Sequence, residues 1–217
     1  MATIYHTTLT PSKLELLKDW LPSRPWYRGT GREPALTKAG GFRLDDPAGE
    51  VGIEFMAVAD GSGAAPMVYH VPLTYRAGPL EGAAGGLIGT AEHGVLGRRW
   101  VYDGTRDPVL VTQLVALIQG DAEPQAQSQS DTPDPTVLSH PATRAAVAPA
   151  GFVVSDETEG TQLGIGVGGA ARLFVLVHRV LRPAAGDESG HGYLTATWRL
   201  PDDDIVRRGV FATAELR

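Results

Sequence analysis

Residues 51–76, VGIEFMAVADGSGAAPMVYHVPLTYR, leave little choice of local structure. Two runs rich in β-branched and aromatic residues flank the turn-former DGSGAAP, so they read as an antiparallel hairpin with a longer loop. Pro72 interrupts the second run and predicts an edge position or a bulge, because proline cannot donate to a ladder. A further pair of strands is expected at GLIGTAEHGVL and RRWVYDG. On the N-terminal side, Thr10-Pro11 reads as an N-cap followed by proline at the first helical position. Leu14, Leu17 and Leu21 then repeat at helical spacing, and Pro22 ends the helix. Glycine and proline punctuate Gly29 to Gly41, which predicts a loop. On the C-terminal side, Asp107-Pro108 opens a helix with Val111, Leu114, Val115 and Ile118 on one face and Gly120 as its stop. Residues 1–120 therefore read as an α+β unit, an antiparallel sheet with flanking helices.

The stretch DAEPQAQSQSDTPDPT (121–136) is polar and proline-rich and reads as a linker. Short apolar runs follow it: GFVVS, TQLGIGVG, RLFVLVHRVL, YLTATWRL and GVFATAEL. They show no long helical period, so 137–217 is expected to form a smaller, mostly antiparallel β unit.

Composition excludes several classes. With 42% hydrophobic and 20% charged residues, a chain of 217 residues can build a real core. Its formal net charge of -6 argues against nucleic-acid binding, which favours a basic surplus. There is no apolar run of about 18 residues, the length that would suggest a membrane span. The N-terminus lacks the charged-then-apolar build of a signal peptide, so the expectation is a soluble, cytoplasmic protein. The absence of cysteine removes disulfides, thiolate metal sites and cysteine nucleophiles.

The motifs that could carry chemistry are sparse. GIGVGG (164–169) satisfies G-x-G-x-x-G, but its sequel AARLFVLVHRV is strand-like, so a glycine-rich hairpin turn is expected rather than a nucleotide site. A kinase-type glycine loop needs a lysine on the next strand, and the last lysine of the chain is Lys38. The six histidines are scattered without metal-ligand spacing. Carboxylates cluster at Asp45-Asp46, Asp156-Glu157-Glu159 and Asp202-Asp203-Asp204, where aspartate's habit of bonding nearby backbone makes them turn chemistry. No serine lies in a G-x-S-x-G elbow. WLPSRPWYRG (20–29) packs two tryptophans, a tyrosine and two arginines into ten residues. Its proline-fixed path suits a rigid plug, with Trp20 and Trp26 burying area against the sheet.

The segment LPSRPWYRG (21–29) resembles the tryptophan-bearing segment of the maltokinase N-terminal cap, of form L-P-x-x-R-W-[FY]-x-G. It departs from that form at Pro25, where an arginine usually precedes the tryptophan, and at Thr30. The hairpin with MVYHVPLTYRAGPL and the closing helix are also similar to that domain. The blocks AGGFRLDDPAGEVGIEFM, VPLTYR and EHGVLGRRWVYDG resemble stand-alone actinobacterial cap-like proteins, some labelled 1,4-alpha-glucan branching proteins. The resemblance covers residues 1–120, and EGTQLGIGVGGAARLFVLVHRVL resembles the first hairpin of the maltokinase intermediate subdomain. Maltokinases phosphorylate maltose with ATP, joining trehalose to α-glucan metabolism, through a C-terminal lobe with an H-G-D-type loop and a metal-binding aspartate. Here the hairpin that would carry the ATP-pairing lysine carries Phe174, Val175 and Leu176, and the sequence ends before such a lobe. Nor do 217 residues accommodate the (β/α)₈ barrel of a branching enzyme.

The resemblance thus implies a non-catalytic, cap-like accessory or binding protein of bacterial trehalose, maltose, α-glucan or amino-sugar metabolism. It implies no cofactor, no metal and no catalytic residue. Its expected partner is a sugar kinase or glucan-acting enzyme, or else a sugar ligand; neither nucleic acid nor membrane is expected. Arg24, Trp26, Tyr27, Arg28 and Trp100 are the candidate ligand- or partner-binding residues. One alternative is a small carbohydrate-binding module using the faces of Trp26, Tyr27 and Trp100. The other is an unidentified enzyme with Asp45, Asp46, Glu54 or Glu92 as its acids.

Overall fold

The computed structural model describes residues 9–129, 131–142, 151–168, 170–184 and 192–217. In chain order the strands before the second helix are β1 (Leu9–Thr10), β2 (Leu36–Leu44), β3 (Gly52–Asp60), β4 (Met67–Arg76), β5 (Leu87–His93) and β6 (Gly97–Asp103). Helix α1 (Lys13–Trp20) lies between β1 and β2, and α2 (Pro108–Ile118) follows β6. Then come β7 (Gln125–Ala126), β8 (Leu138–His140), β9 (Phe152–Asp156), β10 (Gly160–Gly166) and β11 (Arg172–His178). The last three are β12 (Val180–Leu181), β13 (Gly192–Trp198) and β14 (Arg207–Leu216). Among the described residues all 14 strands join one sheet, whose main path runs β1-β5-β6-β4-β3-β2-β13-β14-β11-β10-β9. Each named pairing is antiparallel, so the fold is a mostly antiparallel sheet with two short helices.

The hairpin at 51–76 is the shared wall of two cores. Strand side chains alternate between faces. From β3, Ile53, Phe55, Ala57 and Ala59 enter the larger core, with α2 and the strands from β9 onward. Met56 and Val58 enter a second core with Leu17 and Trp20 of α1, Trp26, and Tyr69, Val71 and Leu73 of β4. A strand apolar on both sides reads as a near-continuous hydrophobic run, as VGIEFMAVA does apart from Glu54. Each fully buried side chain of this size stabilises the fold by about 1.5–3 kcal/mol.

Pro72 sits neither at an edge nor at a bulge of β4. The strand pairs on one side with β3 throughout, and on the other with β12 at Val68 and Tyr69 and with β6 from Leu73 onward. The His70 N–H reaches across to the Arg179 carbonyl (2.9 Å) on that second side. Two residues on, the proline's missing N–H would face the same way, into the gap between β12 and β6. A central strand tolerates proline there because no acceptor is lost.

Two further expectations shift. Helix α1 is capped by Ser12, not Thr10: the Glu15 N–H donates to Ser12 Oγ (3.3 Å) and the Ser12 N–H to Glu15 Oε2 (2.7 Å). This S-x-x-E capping box satisfies two helix-end donors, and Thr10-Pro11 is left upstream of the helix. The stretch Gly29–Gly41 is a loop only in part, since β2 begins at Leu36. Gly31, Gly40 and Gly41 hold positive φ, and a Cβ on Gly41 would lie 2.3 Å from the Phe55 carbonyl oxygen. Glycine there is a close-approach residue inside a strand rather than a turn. The helix Pro108–Ile118 forms as expected, with the Asp107 side chain accepting from the Val109 N–H.

The two sequence units meet in one core. Phe42 and Phe55 of the first pack with Phe211 and Trp198 of the second. The main path crosses between them by one register pair, Gly40 with Trp198, supplemented by β12 on β4. The polar stretch 121–136 is tied back to the first unit: β7 pairs with β2, and Gln127 donates to Glu54 (2.6 Å).

Candidate functional site

The segment 20–29 follows α1 as a short 3₁₀ turn, Leu21–Ser23, with Pro22 inside it. Its path drives Trp26 fully into the second core, against Trp20 (ring centroids 5.7 Å apart) and Tyr69 (6.1 Å). The plug expected from the sequence is therefore present. Trp26 cannot offer a face to a sugar, because burial removes the platform that the module reading needs from it. Arg24 lies outside, its guanidinium 4.8 Å from the centre of the Trp20 ring. Tyr27 is half-buried, and its hydroxyl donates to Asp60 Oδ2 (2.7 Å). Burial first, and the Asp60 carboxylate second, push the Tyr27 phenol well above its usual range. The Arg28 side chain bonds Glu159 (3.0 Å) in the second unit, and the Arg28 backbone N–H donates to Tyr69 Oη (3.1 Å). Trp100 stands apart on β6, partly exposed and outside both cores, paired with Arg76 and Thr90.

Across the seam lies a network that the sequence did not announce. Arg179, between β11 and β12, is fully buried. Its Nη2 donates to both oxygens of Asp103 (2.8 and 2.6 Å) and to Thr105 Oγ1 (3.0 Å), and its Nε to Thr161 Oγ1 (2.8 Å). The guanidinium carbon stands 4.9 Å from the centre of the Trp26 ring. Thr161 in turn donates to Asp156 (2.6 Å), which also takes Arg106 (2.8 Å). Burial pushes the Asp156 carboxyl up, but the Thr161 hydrogen bond and the charges of Arg179 and Arg106 bring it below the usual range. His70, beside this network, is buried, with Nδ1 3.1 Å from the His178 carbonyl. Burial, helped by the charge of Arg179, pushes its pKa down to about 3.

Glu54 centres a second buried cluster, near the start of α1. Lys13 Nζ bonds both of its oxygens (2.9 and 2.7 Å), Tyr75 donates from its hydroxyl (2.5 Å), and Gln127 donates from its amide (2.6 Å). Burial alone would raise the Glu54 carboxyl; the charge of Lys13 and these hydrogen bonds hold it lower than usual. Burial and the facing carboxylate push the Tyr75 phenol far up. Partial burial lowers Lys38, on the neighbouring strand.

The structure does not bring the four candidate acids together around one opening. Glu54 is committed to four bonds with cationic and neutral donors. Asp46 accepts from the N–H groups of Ala48, Glu50 and Val51 (3.0, 2.9 and 2.9 Å), closing its own turn beside Asp45. Glu92 pairs with Arg98 (2.9 Å) on an exposed hairpin. Among the described residues no group of three His, Cys, Asp or Glu side chains could hold a metal ion. His6 and His191 lie outside the described residues. The glycine-rich stretch after β10 is the hairpin turn to β11, whose strands pair from Gly160–His178 to Gly166–Arg172; Gly169 lies outside the described residues. No helix among the described residues is long and apolar enough to cross a membrane.

The residues missed in the sequence are Arg179, Asp103 and Lys13. One signal existed: Arg179 is a lone charge inside the run RLFVLVHRVL, where a buried charge requires a partner. The sequence does not say which partner. With this geometry in place, comparison with known families gives one finding. The family model of the maltokinase N-terminal cap domain matches residues 20–107, from the first tryptophan of the plug to the N-cap of α2. No curated protein matches the chain.

Proposed function

We propose that this chain, which carries a maltokinase N-terminal cap-like domain at residues 20–107, is a non-catalytic accessory or binding protein of bacterial trehalose, maltose, α-glucan or amino-sugar metabolism. Its partner is a sugar kinase or a glucan-acting enzyme. The observation that carries this reading is the family match itself, which spans the whole Trp26 plug and the β2–β6 sheet. It is supported by the fate of the candidate acids, since the bonds of Glu54, Asp46 and Glu92 are all of a structural kind. In this reading 1–120 is the cap-like α+β unit with its flanking helices, and 137–217 is a smaller β unit that braces it. Arg24 and Arg28, at the surface end of the plug, are the residues offered to a partner. The protein is expected in the cytoplasm.

Two measurements test the reading. Incubation with ATP, magnesium and a panel of maltose, trehalose and amino sugars is expected to yield no phosphorylated sugar, and turnover above background would overturn the non-catalytic role. Calorimetric titration into a purified maltokinase and into a glucan-acting enzyme of the same bacterium is expected to give saturable binding to one of them. Binding to neither would overturn the accessory role. A second reading, a sugar-binding module, draws on Trp100, partly exposed and outside both cores. Glycan binding abolished by Trp100→Ala would promote it.

A further inference from the structure

Strand β9 closes one end of the main sheet path, and among the described residues it pairs with β10 alone. The path's other end is the two-residue β1, followed at once by Pro11. Sheet edges are normally blunted by a bulge, a proline, a lysine or an unpaired charge. β9, with the sequence FVVSD, has no proline or lysine, and its register with β10 is unbroken. Its one charge, Asp156, is already neutralised by Arg106 (2.8 Å). The Glu157 N–H donates to the Gly160 carbonyl (2.7 Å), which sets the alternation of the ladder. Val153 and Ser155 therefore turn their backbone groups toward β10, whereas Phe152, Val154 and Asp156 turn theirs outward. On the solvent face Val153 is 64% exposed, in one row with Gly164 and Phe174. Charge is divided along this edge. Just past β9, Glu157 is exposed and meets no cation among the described residues. At the opposite end a hollow of about 350 Å³ is lined by Gly151, Gly166 and the exposed Arg172, which meets no carboxylate among the described residues.

We propose that the protein self-associates through this edge, β9 of one copy pairing antiparallel with β9 of a second across a two-fold axis at Val154. This register uses every outward backbone group: Val154 pairs with Val154 of the second copy, and Phe152 of each with Asp156 of the other. A shift of the axis by one residue either way leaves some of them unpaired. The same register sets Glu157 of one copy opposite Gly151 of the other, in the row that continues through Gly166 to Arg172. The Cα atoms of the two charged residues then lie three strand spacings, about 14 Å, apart. Only glycines stand between them, so both long side chains extend over bare backbone and bring their charges within the screening length of about 8 Å at physiological salt. Val153 meets Ser155 of the second copy, which covers part of its exposed surface. An acidic end matched to a basic end in antiparallel order selects a second copy as the occupant, because the two-fold axis makes that match twice.

The test uses the whole protein. Sedimentation velocity over a wide concentration range is expected to show a monomer–dimer equilibrium, and a monomer at every concentration overturns the proposal. Val154→Pro removes an outward N–H while leaving the β9–β10 bonds in place. It is expected to abolish the dimer with an unchanged circular dichroism spectrum, and a dimer that persists would place the interface elsewhere. If that variant does not fold, cross-linking decides. The chain has no cysteine, so Val153→Cys and Ser155→Cys, both on the solvent face, each introduce a single thiol. Mild oxidation of the two variants mixed together is expected to give a disulfide dimer joining position 153 of one copy to position 155 of the other. A mixture that cross-links no better than either variant alone overturns the register.

Discussion

Glu54 and Asp103 are both buried carboxylates held by a cation and by neutral donors, yet they sit in different parts of the molecule. Glu54 takes its charge partner from Lys13, whose side chain is 38% exposed, and all its donors come from residues 13–127. Asp103 takes Arg179, which is 0% exposed and comes from the second unit. The first cluster fastens a helix start and a connecting segment to the sheet. The second fastens one half of the chain to the other, with Trp26 stacked above it. Both carboxylates keep neutral donors when the cation goes. Water can reach the place of the partly exposed Lys13 but not that of Arg179, so the uncompensated charge costs more at Asp103. The two sites should therefore respond very differently to the same kind of lesion.

The largest effect is expected at the seam. Arg179→Leu leaves Asp103 buried without its cation and should destabilise the protein by about 3–5 kcal/mol in urea unfolding. A loss near that of a surface substitution would break the contrast. Trp26→Ala should cost about 3–5 kcal/mol, and a change below about 1 would refute the plug. Acid provides a sharper probe, because His70 lies on the seam side. Its folded pKa is about 3 against 6.5 for the free side chain, so between these values the unfolded chain binds the extra proton. Stability should thus fall as pH drops from 6.5 toward 3, by up to about 1.4 kcal/mol per unit. The window above about pH 5.5 separates this loss from carboxylate protonation, and His70→Leu should reduce the slope there, leaving the smaller contribution of His93. Lys13→Met should cost least, about 1–2 kcal/mol, because Tyr75 and Gln127 still donate to Glu54. If Lys13→Met equals Arg179→Leu, exposure of the cation does not distinguish the two clusters.

What could be read from the sequence was local. The β3–β4 hairpin and α2 were legible because periodicity and the Asp107-Pro108 cap act over a few residues. Trp26 was legible as an anchor because so large an apolar group seeks burial wherever it lies. Strand β2 was not, since Gly40 and Gly41 look like turn residues until the approach of Trp198 and the Phe55 carbonyl explains them. Pro72 misled because its position depends on where β12 ends and β6 begins. The Arg179 network was out of reach for a related reason. Its partners lie 18, 74 and 76 residues away, and no spacing rule links them.

The double-sided hairpin has a consequence for how such a segment travels between genes. Residues 20–107 include β3 and β4, and β3 sends apolar side chains into both cores. Copied alone into another protein, the segment would bring its plug but leave Phe55 and Ile53 facing water. It would gather chains together in the crowded cell, as bare apolar surfaces do. A gene that acquires this segment must therefore also possess, or invent, something like residues 108–217 to lie against it. Recombination can then preserve the plug side while the covering side diverges, and kinship should be easiest to detect on the half of the sheet that faces Trp26.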